Sequence, residues 1–312
     1  MPERPLQFDL YRLQIVDDPT MFPFMGRPIR TDDDIERVLE RASSSDFDRT
    51  NTSGRTTYRW SLRESVIYAD GHDGAPRVAG LTLARSVVSQ IGQTVTDSSI
   101  EDAVSQVTPP TAQTLHLFFN LNRHLVGAEY NSDVMSSELW RSSLHEIIDA
   151  AAHSVEFRSG LRIEPVPRDA EILTAFRSFS ILTRFRVRLR IPNPELSRFT
   201  AKLRAEMEGS QIREYTQDMR NPNGLSQREE GLPFASAAMA QDGYKDGEVL
   251  MTGMREGKRT TVRTGRRAAR GRVEGLKSFV RGMASIARTR EARAAVTAIM
   301  EEIDRIAEPP VQ

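Results

Sequence analysis

From Arg184 to Ile191 the chain alternates without a fault: Arg184-Phe185-Arg186-Val187-Arg188-Leu189-Arg190-Ile191. Side chains of a strand point to opposite faces in turn, so Phe185, Val187, Leu189 and Ile191 share one face. Arg184, Arg186, Arg188 and Arg190 share the other. The segment belongs to the strongest strand in the chain, Ile181 to Ile191, which Pro192-Asn193-Pro194 ends before a helix expected from Glu195 to about Met207. Same-face neighbours stand about 6.8 Å apart, twice the strand rise. Successive phosphates along one nucleic-acid strand are about 7 Å apart. The four guanidiniums therefore either track phosphates or are neutralised by Glu and Asp on neighbouring strands. Arginine rather than lysine at every position favours phosphate, whose geometry its fork matches.

The other elements surround this strand with a mixed pattern. Phe8 to Ile15 alternates as a half-buried strand with Tyr11, Leu13 and Ile15 on one face. Thr31 before Asp32, Asp33 and Asp34 starts a helix that turns Ile35, Val38 and Leu39 inward. Residues 43–56 are polar and aperiodic, hence a loop. Strands follow from Tyr58 to Tyr68 and within Val78 to Val88, either side of a turn at Ala69 to Gly74. A short helix is expected over 97–107, stopped by Pro109-Pro110, and then a hairpin around Asn122-Arg123. Ser136-Ser137-Glu138-Leu139 opens a helix carrying Trp140, Leu144, Ile147 and Ile148. Beyond it come a helical segment at 169–178, the arginine strand and a stretch at 217–248 with short elements at best. A hairpin within Gly243 to Thr264 and a helix from about Glu274 to Ile306, weakened at Gly282, complete the chain. This succession gives an α+β fold: mostly antiparallel sheets with flanking helices and a long C-terminal helix. For 312 residues two domains are expected, 1–158 and 159–312.

Charge is the second constraint. The chain holds 43 Lys and Arg against 43 Asp and Glu, a net of zero. Arg255, Lys258, Arg259, Arg263, Arg266, Arg267, Arg270, Arg272 and Lys277 nevertheless face only Glu256 and Glu274 within one segment, giving it +7 and the remainder −7. Its Gly, Thr and Arg suit a flexible loop or exposed strand following a phosphate backbone. The segment has no aromatic residue, which argues against stacking on single-stranded bases. A solvated loop, or a dock for an acidic partner or a second copy, fits the same composition.

Catalytic signatures are lacking. With no Cys, the chain has no disulfide, thiolate zinc site, iron–sulfur ligation or Cys nucleophile. His72, His116, His124, His145 and His153 show no metal-ligand spacing, and His116 and His124 read as hydrogen-bonded structural residues. Gly-rich phosphate loops and a nucleophile elbow are absent. The acid clusters Asp32-Asp33-Asp34-Glu36 and Glu301-Glu302-Asp304 lack the acid-x-Lys spacing of metal-dependent nucleases; helix-start electrostatics accounts for the first, and the second reads as solvated. The acidic first stretch is neither a signal nor a transit peptide, and no apolar run reaches membrane-span length, so a soluble cytoplasmic chain is expected.

From about Tyr58 to Ile303 the order of elements resembles that of the RexA-like phage exclusion proteins and related defence-linked bacterial proteins. The likeness is carried by Leu161-Arg162-Ile163-Glu164-Pro165-Val166, by the segment ending in the charged strand Thr183 to Ile191, and by the helix after it. The strand pair at Leu117 to Tyr130, with its following helix at Glu138 to Ile148, adds to it. The resemblance implies a homodimer that binds double-stranded DNA with little sequence preference, acts in phage exclusion and works with a separately encoded membrane partner. Arg255 to Lys277 has no alignable counterpart there, so its role rests on its chemistry. The combined expectation is a non-catalytic DNA-binding protein of abortive infection that needs neither cofactor nor metal. Arg184, Arg186, Arg188, Arg190, Lys258, Arg259, Arg263, Arg266, Arg267, Arg270 and Arg272 would combine in a groove or ring that contacts backbone phosphates. The alternatives are an interaction or self-assembling component that docks an acidic partner, and an infection-triggered metal-dependent nuclease.

Overall fold

The computed structural model describes residues 4–17, 27–71, 76–108, 111–135, 138–168, 170–190, 201–210, 212 and 214–307. In chain order the strands are β1 Leu6–Asp17, β2 Arg49–Ser53, β3 Thr56–Asp70, β4 Arg77–Val95, β5 Ile100–Gln106, β6 Ala112–Asn120 and β7 Leu125–Glu129. They continue as β8 Ser159–Pro165, β9 Ile181–Arg190, β10 Glu214–Arg220, β11 Val249–Arg255, β12 Lys258–Thr264 and β13 Arg270–Val273. The helices are α1 Asp32–Ala42, α2 Ser132–Met135, α3 Leu139–Ser154, α4 Glu171–Arg177, α5 Ala201–Gly209, α6 Leu232–Gln241, α7 Lys277–Val280 and α8 Arg290–Ile306. The α+β class expected from the sequence is what forms.

Nine strands make the larger sheet, in the order β13-β1-β7-β6-β4-β3-β2, with β5 also on β4 and β8 also on β1. β1 is apolar in both phases, and each phase enters a different core. Tyr11 and Leu13 pack with Ile35, Val38 and Leu39 of α1 and with Trp140, Leu144 and Ile147 of α3. Leu6, Phe8 and Leu10 pack with Val296, Ile299 and Ile303 of α8. The sheet is therefore sandwiched between helices on both faces. α1 begins as its sequence dictates: the Thr31 hydroxyl accepts from the Asp34 N–H, and the Asp34 carboxylate accepts from the Thr31 N–H. Strands β8 and β13 and helix α8 all follow residue 158, yet they belong to this larger sheet and its cover.

The smaller sheet has the order β10-β9-β11-β12 and is antiparallel throughout. Its inner face carries Leu182, Phe185, Val187 and Leu189 of β9 against α4, α5 and α6. The rings of Phe176 and Phe185 meet edge-on at 5.7 Å. β1 also ties the two sheets together, because Arg12 Nε donates to the Asp242 carbonyl and Gln14 Nε2 donates to the carbonyls of Gly243 and Lys245.

Several local expectations are corrected. The expected loop at 43–56 holds a 3-10 turn and β2. The expected helix at 97–107 is instead β5, paired with β4 from Ser89↔Gln106 to Val95↔Ile100. The stretch at 217–248 contains α6 and most of β10. The C-terminal helix is broken into α7, a 3-10 turn at Met283–Ile286 and α8, with Gly282 at the first break. The expectations at Pro109-Pro110, Ser136-Ser137, Ile191, Pro192-Asn193-Pro194 and the helix start at Glu195 fall outside the described residues, as does His72. Among the described residues no helix is long and apolar enough to cross a membrane.

Candidate nucleic-acid interface

The alternation of β9 is realised: Phe185, Val187 and Leu189 are buried, while the four arginines lie on the opposite face. Among the described residues no helix packs on that face. Three of the arginines have acidic partners. Asp218, on β10, receives both Arg184 and Arg220, at 2.8 and 2.7 Å. Hydrogen bonds from Arg184 and then Arg220 hold the Asp218 carboxyl well below the usual range. Arg188 and Arg190 converge on Asp246 at 3.1 and 2.9 Å and reach Glu214 at 3.5 and 3.4 Å. Burial alone would raise the Asp246 carboxyl, but these two arginines outweigh it and lower it. Arg186 differs. Asp218 is its direct cross-strand neighbour but turns to Arg184 and Arg220, and among the described residues Arg186 has no carboxylate at ion-pair distance. Neutralisation by acidic neighbours thus holds for Arg184, Arg188 and Arg190, and not for Arg186 among the described residues.

Register brings part of the basic segment to the same face. In an antiparallel sheet, directly opposed residues share a face. Leu250 of β11 opposes Arg186 on one side and Arg263 of β12 on the other. The two arginines therefore flank Leu250, two strand spacings or about 10 Å apart. Arg186, Arg188 and Arg263 line one depression of about 360 Å³ with Thr216 and Leu250 on its floor. Arg259 joins this face through its pairing with Met254. Arg184, Arg186, Arg188, Arg190, Arg220, Arg259 and Arg263 face Glu214, Asp218, Asp246 and Glu248, leaving the surface at +3.

β12 is an edge strand, and its cations wrap around that edge. Arg263 also borders a second cleft, of about 700 Å³, with Arg168, Arg255, Arg266 and Arg267. Glu248 is shared by Arg266 at 3.2 Å and Arg263 at 3.8 Å. Lys258, Arg259 and Arg267 have no carboxylate partner among the described residues. Charge along an edge strand also deters strand addition by another chain, so part of this pattern protects the edge. The last two predicted residues lie elsewhere. Arg270 sits on β13 in the larger sheet, paired with Asp9 at 2.7 Å and stacked 3.6 Å over the Tyr130 ring. Arg272 pairs with Glu274 on the same strand's exit.

Two contributors escaped the sequence. Arg220 is the end of an alternating strand whose inward face is interrupted by the buried Gln217, which disguises the pattern. Arg168 carries no local signal, and only the fold sets it beside Arg266 and Arg267. The fold also gives the basic segment aromatic neighbours: Tyr130 and Trp140 line a 430 Å³ cavity with Arg266, Arg267 and Arg270. The two acid clusters are occupied by protein partners. Asp33 and Glu36 bind Arg77, Asp304 binds Arg123, and Glu302 accepts from Arg305 and the Arg272 N–H. Glu302 and Asp304 of the second cluster are thus engaged by protein partners, while Glu301 is exposed as expected. Among the described residues no three His, Asp or Glu stand close enough to hold a metal ion. Compared with models of known families and with curated proteins, the chain matches none.

Proposed function

We propose that the chain binds the phosphate backbone of double-stranded DNA, with little base preference, on the open face and β12 edge of its smaller sheet, and acts without covalent chemistry of its own. The observation that carries this is the convergence of Arg186 and Arg263, from segments 77 residues apart, on one depression. Among the described residues, Arg186, Lys258, Arg259, Arg263 and Arg267 need break no ion pair, or only a long one, to take a phosphate. Arg184 and Arg188 would exchange a carboxylate for a phosphate, which adds little net energy because exposed pairs are worth at most about 1 kcal/mol, while the partly buried Arg190 keeps Asp246. Arg270 and Arg272 support the adjoining strand. Action in phage exclusion, as a cytoplasmic homodimer with a separately encoded membrane partner, is supported by the RexA-like order of elements. Binding of unrelated duplexes across a salt series tests the proposal. The expected outcome is similar affinity for all sequences and a loss of about 10³-fold or more between 50 and 200 mM salt. A flat salt profile counts against it.

One observation favours self-association as a second role. The ends of β4 and β5 form a two-stranded arm on which Ile91 opposes Val104 and Val95 opposes Ile100. Ile91, Val104, Val95 and Ile100 are 50, 62, 78 and 66 % exposed. The arm carries Asp97, Glu101 and Asp102 and no base between residues 86 and 114. Its acidic, apolar surface complements the +3 face of a second copy. Molecular mass at low and high salt, without DNA, checks this. A dimer that dissociates in salt, and is lost when the four aliphatic residues become Thr, is expected; a monomer at every salt excludes it.

A further inference from the structure

The larger sheet carries a second polar centre, far from the arginine face in sequence and on different strands. On β3 the pairing with β4 slips between Arg63 and Val66, and within this bulge Glu64 has φ of +58°. A left-handed glutamate costs about 1 kcal/mol or more, which something must offset. Its carboxylate accepts a 2.6 Å hydrogen bond from the Thr82 hydroxyl on β4. With its single proton committed there, the Thr82 oxygen accepts from Nδ1 of His116 on β6, at 2.9 Å. This fixes the imidazole tautomer and leaves a lone pair on Nε2. Glu129 of β7 accepts from the His116 N–H at 3.2 Å and places Oε2 at 3.9 Å from that Nε2. Four strands thus contribute one continuous polar row, in which Thr82, His116 and Glu129 are less than a tenth exposed.

Apolar residues would fill this part of the sheet at lower cost, because buried polar groups lose hydration. Instead the row forms the floor of a cavity of about 710 Å³, within the range of small-molecule sites. Burial favours the neutral imidazole of His116 and the protonated form of Glu129, which suits hydrogen bonding to hydroxyl groups. Two cations also line the cavity: Lys277 and Arg281, one helical turn apart, and neither has a carboxylate partner among the described residues. Glu64 and Asp133, which also line it, repel a continuous polyanion, so nucleic acid is a poor occupant.

We infer that this cavity binds a small phosphate monoester on a hydroxylated body, with Lys277 and Arg281 on the phosphate and Glu64, His116 and Glu129 on the hydroxyls. Nucleoside 5′-phosphates and sugar phosphates share that chemistry. The inference does not depend on DNA binding. Titration calorimetry with adenosine 5′-monophosphate, ribose 5-phosphate, adenosine and inorganic phosphate tests it on the full chain. At least one monoester is expected to bind with a Kd below about 1 mM, and adenosine and inorganic phosphate about tenfold or more weaker. Preference for adenosine 5′-monophosphate identifies a nucleotide site, and equal binding of both monoesters a sugar-phosphate site. Lys277→Ala/Arg281→Ala, at a half-buried and an exposed position, should keep the melting temperature and lose about tenfold or more in affinity. No binding of either monoester, equal binding of adenosine, or binding unchanged in the folded double variant overturns it.

Discussion

Arg184 and Arg186 occupy equivalent positions on one strand, yet their chemistry differs because of a single diagonal choice. Asp218 lies opposite Arg186 but bonds Arg184 and Arg220, so the arginine nearest the middle of the face is the one without an ion pair among the described residues. The alternation of arginines was legible in the sequence. Which of them would be neutralised was not, because that depends on strand register. Lys245 makes a similar point about buried charge. Its side chain is 1 % exposed, 3.9 Å from Glu164, and burial pushes its ammonium down from 10.5 to about 8 despite the opposing pull of Glu164. Between these values the unfolded chain holds the proton and the folded chain does not, so stability rises with pH through this window. In pH-dependent urea melts, wild type should gain up to about 3 kcal/mol from pH 8 to 10.5 relative to Lys245→Met. Parallel curves for the two proteins would contradict the assignment.

At the scale of elements, the open face depends on a close approach between β9 and β11. Gly253 sits where their register shifts, and a Cβ there would stand 2.1 Å from the Ile181 carbonyl oxygen and 3.0 Å from the Leu182 Cα. Neither obstacle is the end of a flexible side chain, so the strands must part. Gly253→Ala should destabilise the protein by about 1–3 kcal/mol in urea melts and weaken duplex binding with it. An unchanged midpoint would show that the strands tolerate separation. Elements with one apolar phase were readable: β9 by its period of two, and α1 by its cap and its Ile35, Val38 and Leu39 stripe. Two others were not. In β5, Ile100 and Val104 fit a helical spacing as well as a strand's, and pairing with β4 decides between them. Helix α6 is apolar nearly all round because it is buried among β9, α4 and α5, so no amphipathic period marks it.

For the whole molecule, neutrality conceals a division of labour. The acidic excess lies mostly on the larger sheet's surroundings and the β4–β5 arm, while the cations of two distant segments gather on the smaller sheet. The sequence located both basic segments and led to the expectation that they combine, but not to the strand order behind their meeting. That meeting requires β11 to lie between β9 and β12, an order set by the inner-face core of Phe185, Val187 and Met251 against α6. Arg270 and Arg272, contiguous with the basic segment in sequence, are carried away onto the larger sheet by the same fold. Duplex binding by Arg186→Glu/Arg263→Glu across a salt series, with Arg270→Gln as comparison, tests the central claim most directly. The account predicts unchanged thermal stability for the pair, a large loss of affinity and a salt slope shallower by about 2, since each phosphate contact contributes about 0.9. Wild-type affinity and slope in the folded double variant would contradict it.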